Sequence, residues 1–409
     1  MANEGPAWIT LEPFVPDHVD PALVRTMTFA ELGEGVECPY QEAVKIQAEG
    51  DMFWDAHHRT HGGAWVPTKA EDIRFVTTRT DLFSTAGETG FSGLMGEDWP
   101  LIPLEIDPPE HTAFRKAFNH LIAPPAVEAV AGQVHDRAVS LIEAVRPNGG
   151  CEFMSSFGFP FPVGVFLSVM GLPLSRLEEF VGWGHGILNG ASLEERSNAA
   201  FALKNFINET IDDRLVNPVD DVASKIVHSD INGRPITRQE MLGSLFFIFI
   251  GGIDTVASTM SFAFHYLAQR PDVQKRLREN PERIANAVEE FMRRFSVVTA
   301  SRKALQDVEL AGQTVKKGDW VSLVYPMGSL DPREFDCPMD IDLDRKNVRH
   351  FGFGFGPHFC MGSHLARREM RIAFHEWMQR IPEFRLASPD TGKPRPGAVF
   401  GIDTLHLAW

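Results

Sequence analysis

Phe353-Gly-Phe-Gly-Pro-His-Phe-Cys360-Met-Gly362 places a cysteine in a glycine-padded turn, just ahead of a helical run, LARREMRIAFHEWMQR. Gly354, Gly356 and Gly362 remove side chains where backbone has to lie close to a flat ligand. At the opening of a helix, the sulfur of Cys360 is expected to meet unpaired N–H groups and the positive end of the helix dipole. Such surroundings lower a thiol pKa and suit the sulfur as an anionic metal ligand. Two plainer readings compete. Cys360 can be an ordinary buried cysteine in a turn. Alternatively, Gly352, Gly354 and Gly356 can form part of a dinucleotide loop, but that motif needs a preceding strand, and DLDRKNVRH does not read as one.

Working outward, 409 residues with 44% hydrophobic and 23% charged side chains describe an ordinary folded chain rather than a disordered one. The net charge of −16 argues against nucleic acid as a partner, because phosphate binding needs a basic surface. The four cysteines (Cys38, Cys151, Cys337, Cys360) are scattered, which argues against a disulfide framework or a zinc cage and suits a reducing cytoplasm. The N-terminus lacks the pattern of a signal peptide. The most apolar run, Met241 to Ile253, is shorter than the ~20 residues that span a bilayer, so no membrane association is expected.

Along the chain, Ala64–Pro67 and Ile73–Thr77 read as strands in a Pro-, Gly- and Trp-rich first hundred residues, with about 1–38 irregular. From about Pro124 to Glu290 apolar residues recur three and four apart, the helical period. Thr237-Arg-Gln-Glu240 is a capping box that opens a long helix, which Arg270-Pro271 should end. Asn280-Pro281 then reads as the start of the next helix. Val308–Ala311 and Trp320–Tyr325 read as strands, followed by an irregular stretch to about His358. No repeat or linker interrupts the pattern. The expectation is a mainly α chain with small β-sheets, forming a single domain over residues 1–409.

Two further motifs accompany the cysteine loop. Glu290-Phe-Met-Arg293 puts an acid and a base on one helix face. Glu143-Ala-Val-Arg146 fits the same pattern, and only position, about seventy residues before Cys360, favours the former. Gly251-Gly-Ile-Asp254-Thr255 places an acid and a hydroxyl inside an apolar helix, where they are costly unless paired or functional. Thr255 can bond back to the Gly251 carbonyl and open the helix locally. The plainer reading is a Gly-Gly packing site with a capped polar pair.

Together, F-x-x-G-x-x-x-C-x-G, E-x-x-R and the Gly251–Thr255 motif resemble the cytochrome P450 family in order and spacing. Asp107-Pro-Pro-Glu-His111-Thr-Ala-Phe-Arg115, Arg293-Arg294-Phe295-Ser296 and His364-Leu-Ala-Arg-Arg-Glu369 resemble its bacterial camphor 5-monooxygenase branch, over nearly the whole chain from about Pro39. The resemblance implies the cytochrome P450 fold, heme b (iron protoporphyrin IX) and a haem-thiolate monooxygenase that hydroxylates a small apolar substrate. Cys360 is then the iron ligand, with Gly354 in the loop beside the macrocycle and Arg115, Arg302 and His358 at its propionates. Asp254 and Thr255 would steer protons to O2. Trp99, Leu104, Phe247, Ile250, Gly251, Val298 and Val399 would form the substrate pocket.

In that branch a tyrosine hydroxyl holds the substrate ketone. Here Trp99 takes that place, and its indole N–H could orient a single carbonyl, as in a terpenoid or norisoprenoid ketone. For Phe247 and Ile250, periodicity leaves plain core packing open. Electrons would come from a [2Fe–2S] ferredoxin, fed by an NADH-dependent ferredoxin reductase and docking on a basic patch of Arg115, Arg349 and Arg367. Thr112 stands where the relative has an arginine. A peroxygenase and a non-catalytic haem- or terpenoid-binding protein are the alternatives.

Overall fold

The computed structural model describes residues 13–25, 38–58, 62–346, 348–395, 397 and 399–409. Much of the expected irregular segment 1–38 lies outside these residues. Within it, Val24–Arg25 forms a strand against Met52–Asp55.

Helices dominate: α1 (Pro39–Glu49), α2 (Ala70–Thr78), α3 (Glu110–Phe118), α4 (Pro124–Val145), α5 (Pro160–Val169), α6 (Leu177–Asn189), α7 (Leu193–Val216), α8 (Val222–Val227), α9 (Arg238–Ile253), α10 (Thr255–Leu267), α11 (Pro271–Glu279), α12 (Ile284–Arg294), α13 (Tyr325–Ser329) and α14 (Ser363–Arg380). One six-stranded mixed sheet runs in the order Val24–Arg25, Met52–Asp55, Ala64–Pro67, Trp320–Val324, Thr299–Ala304, Phe83–Ser84. Small two- and three-stranded sheets accompany it.

The strand expected at Ile73–Thr77 is instead the body of α2. Ile73, Val76 and Thr77 are buried on one side, three and four apart, a period too long for a five-residue window to display. Tyr325 leaves its strand to begin α13. Asn280 caps backwards: its side chain donates to the Arg276 carbonyl at the end of α11, while Pro281–Arg283 is one 3-10 turn before α12.

The capping box forms as expected. Glu240 N donates to Thr237 Oγ1 (3.4 Å) and Thr237 N donates to Glu240 Oε2 (2.7 Å). The single long helix does not. It breaks at Asp254 into α9 and α10, where Thr255 Oγ1 donates to the Gly251 carbonyl (3.0 Å) in competition with the backbone ladder. Arg238–Leu267 together is long and apolar enough to cross a membrane, but 61% of its apolar window is buried inside the fold, as befits a core helix.

Two hydrophobic clusters result. One joins the sheet to α1, α10, α12 and α14. The other gathers α5 to α9 with the loop from Phe91 to Ile102. Cys360 lies at their seam: Phe353 and Phe355 pack on the first cluster, and Met361 on the second.

Candidate functional site

The seam is built by close backbone approach. Gly354 and Gly356 both take left-handed φ (+67° and +70°), and a Cβ on Gly356 would sit 2.6 Å from the Thr77 carbonyl oxygen. The turn closes with Cys360 N donating to the Phe353 carbonyl (2.9 Å). Cys360 is solvent-accessible at the seam, yet protein surrounds its sulfur closely enough for burial to push the thiol pKa up. The backbone N–H groups of Gly362 and Ser363, with Arg115 and Arg367, pull it down without prevailing. The lowered pKa expected from helix position alone is therefore corrected: desolvation outweighs the donors in the protein by itself.

A cluster of cations and imidazoles lies beside this loop. Arg115 Nη1 donates to the Phe359 carbonyl (2.7 Å), which ties α3 to the residue before Cys360. His111, one turn earlier on α3, packs against His358 with the rings tilted by 41° and their centroids 4.1 Å apart. Burial holds His111 down at about 4 and His358 down at about 2, with Arg302 and Arg115 adding repulsion. Both ring nitrogens of His111 and Nε2 of His358 are buried without a partner among the described residues. Arg302 differs, because it already bonds Glu88 (2.8 Å) in a buried ion pair. Buried donors left open beside two arginines suit an acceptor with negative charge, as two carboxylates would supply.

Across the seam, α9 presents an uneven face. Phe247 and Ile250 are half-buried and Gly251 is exposed, while Phe246, Phe249 and Ile253 are fully buried; Thr255, the first residue of α10, is half-buried too. A Cβ on Gly252 would sit 2.6 Å from the Phe166 ring, whereas one on Gly251 would meet nothing within 4 Å. Only Gly252 is needed for packing, so the Gly251 side is open. Leu104, Val298 and Val399 are half-buried as well, and Val298 and Val399 form an antiparallel bridge. Leu104, Phe247 and Ile250 border the second cluster, and Val298 and Val399 the first.

Trp99 stands apart. It is buried against Phe246, and its indole N–H is donated to Glu97, whose carboxylate also takes Lys204 from α7. The donor expected to orient a substrate carbonyl is committed to a neighbour two residues away. Asp254 is likewise engaged: buried, it accepts from Arg395 Nη2 at both oxygens (2.7 and 2.8 Å). Arg367 is not a free cation either, since Glu289 accepts from it twice (2.7 and 3.0 Å). Arg349 is exposed.

Glu290 and Arg293 form a fully buried pair (2.8 Å). Arg293 also donates to the carbonyls of Ser329, Pro338 and Asp340, which pins the irregular stretch after α13 against α12. Sequence reading missed the roles of His111, Glu88, Glu97 and Arg395. His111 had a signal, its i, i+4 spacing from Arg115 on one helix face. Arg395 had none, being 141 residues from Asp254.

The sequence profile of the cytochrome P450 family matches residues 191–398. A probable cytochrome P450 127A1 of Sinorhizobium fredii is 38% identical over 97% of both chains. Linalool 8-monooxygenase of Pseudomonas putida is 28% identical, over 91% of this chain and 95% of that one. The solved structure of cytochrome P450 CYP101C1 superposes with a TM-score of 0.87 at 29% identity, covering 97% of this chain and all of that one. CYP101J2 gives 0.85 at the same identity and coverage. Profile, full-length relatives and architecture converge on the fold that carries the Cys360 loop, and the chain belongs to the cytochrome P450 family, whose proteins bind heme b through a cysteine thiolate.

Proposed function

We propose that this cytochrome P450 monooxygenase acts as a single domain that hydroxylates a small apolar substrate, such as a terpenoid or norisoprenoid ketone, with O2 and electrons from a [2Fe–2S] ferredoxin. The observation that carries the reading is the Cys360 turn, with its left-handed glycines, beside unpartnered donors of His111 and His358. These residues fit heme b: Cys360 would hold the iron, and Arg115, His111, His358 and Arg302 would face the propionates. When bound, the haem supplies the activation of O2 and the oxidising chemistry. The protein's share is position, dryness and protons.

Leu104, Phe247, Ile250, Val298 and Val399 offer an apolar wall that excludes water and orients the substrate by shape. Since the Trp99 N–H is held by Glu97, recognition rests on that shape more than on a hydrogen bond. The likeness to linalool 8-monooxygenase supports a terpenoid. Asp254 would carry protons, and Thr255 Oγ1, held on the Gly251 carbonyl, would steady the opened turn beside the site of O2 binding. Exposed Phe359, tied to Arg115, and the exposed Arg349 support docking of an acidic ferredoxin. The scattered free cysteines support a cytoplasmic location.

The test is spectroscopic and kinetic. The reduced, carbon-monoxide-treated protein should give the thiolate-type Soret shift, and Cys360→Ser should abolish it together with turnover; an unchanged shift in the variant overturns the reading. Thr255→Ala should lower product formed per NADH, and wild-type coupling would remove the role given to Thr255.

A further inference from the structure

One guanidinium gathers three separate segments around Asp254. Arg395 Nη2 donates to both Asp254 oxygens and to Ser258 Oγ (3.1 Å). Nη1 donates to Asn189 Oδ1 at the end of α6 (3.0 Å) and to the Val399 carbonyl in the pocket wall (2.7 Å). Nε donates to Asp403 Oδ1 (2.6 Å). A guanidinium carries five N–H groups, and these contacts occupy every nitrogen. Room for it comes from Gly401, where a Cβ would lie 2.8 Å from the guanidinium carbon.

The charges are arranged unequally. Arg395 and Asp254 are buried, with side chains 9% and 5% exposed, while Asp403 is 40% exposed and reaches water. A single buried cation thus has two carboxylate partners, one facing the interior and one the solvent.

We propose that Arg395 is a positioning residue for proton delivery and Asp403 its reserve counter-ion, which keeps the guanidinium neutralised while Asp254 is protonated. The inference rests on the reading of Asp254 as proton carrier. A proton from solvent water adds to an Asp254 carboxylate oxygen, and the contact with Arg395 is released. The proton then passes to a water or hydroxyl beside Thr255, and Asp254 returns to Arg395 as a carboxylate. One proton enters and one leaves. With Asp403 present, the trio passes from net negative to neutral. With an uncharged residue there, it passes from neutral to net positive, leaving a buried cation without a counter-ion, which a dry site disfavours. Asp403 thereby lowers the cost of placing a proton on Asp254 without touching it.

The experiment compares Asp254→Asn, Asp403→Asn and Arg395→Lys in the haem-loaded protein. The readout is NADH-driven O2 consumption through a [2Fe–2S] ferredoxin and its reductase, in H2O and in D2O; it registers every turnover whether or not product forms. Asp254→Asn should slow consumption on the order of a hundredfold and Asp403→Asn about fivefold, both with an enlarged solvent isotope effect. The Soret spectrum of Asp403→Asn should match wild type, since Asp403 lies at the surface. In Arg395→Lys, amide hydrogen exchange at residues 254–258 should accelerate, a readout independent of turnover; unchanged exchange removes the positioning role of Arg395. If Asp254→Asn is slow but Asp403→Asn matches or exceeds wild type in rate and isotope effect, the role of Asp403 is overturned and the Asp254 reading stands. If Asp254→Asn is itself unchanged, both fall.

Discussion

Two of the Glu-x-x-Arg motifs on helices of this cytochrome P450 contrast sharply. At the end of α4, Glu143 and Arg146 approach to 3.3 Å with side chains 37% and 51% exposed. On α12, Glu290 and Arg293 approach to 2.8 Å with both side chains fully buried. The first pair shares Glu143 only with Arg380 among the described residues. In the second, Arg293 also donates to three carbonyls of another segment, and Glu290 accepts from Asp342 N and faces Arg345. Water screens the first pair and can replace either partner, whereas each partner of the second leaves several buried groups unsatisfied when removed. The same motif is thus a surface detail in one place and a clamp on the Cys360 side of the molecule in the other.

Substitution separates the two pairs most sharply. Arg293→Lys should cost about 3–5 kcal/mol and lower the fraction of haem-loaded protein, while Arg146→Ala should stay within about 0.5 kcal/mol of wild type. Thermal unfolding, with the ratio of Soret to protein absorbance, measures both; equal losses would erase the distinction.

Glu289, next to Glu290, is the intermediate case, at 20% side-chain exposure. Burial alone would raise its pKa, but bonds from His350 and Arg367 more than offset this and hold it at about 2. Burial also lowers the pKa of His350, and because its Nδ1 accepts from Gly352 N (3.0 Å), the neutral ring keeps an Nε2–H that donates to Glu289 (3.3 Å) beside the Arg367 bonds. Because the folded value lies below the ordinary 4.5, the stabilisation is complete above that pH and is lost as pH falls towards 2. The loss amounts to about 3 kcal/mol, and Glu289→Gln should flatten the acid limb of stability measured by urea unfolding. An unchanged limb would show that this pairing adds nothing to stability in acid.

The smallest effect is expected at Trp99. Its N–H is held by Glu97, so Trp99→Phe should leave the affinity for a terpenoid ketone, followed by the haem spin-state change, within about twofold of wild type. A tenfold loss would return Trp99 to the role of substrate donor.

Legibility follows the range of the interactions. The glycine turn, the capping box at Thr237 and the bond from Thr255 to Gly251 span a few residues each, and each forms as read. Ile73–Thr77 resists reading because five residues satisfy either period, and packing against α13 and the turn Gly356–His358 chooses the helix. The free donor expected of Trp99 is absent because the nearest acceptor, Glu97, is held in place by Lys204 from α7, more than a hundred residues along the chain.

By itself, the sequence determined the family, the mainly helical architecture with its small sheets, the glycine-padded cysteine turn and the acid–hydroxyl pair in the broken helix, since those features depend on local spacing and backbone freedom. Tertiary structure alone decided which Glu-x-x-Arg pair is buried, that Arg302 meets Glu88, and that Arg395 joins Asp254 to Asp403. The physical reason is that a buried charge takes its partner from whatever segment the fold brings within about 3 Å, and no pattern along the chain records that distance.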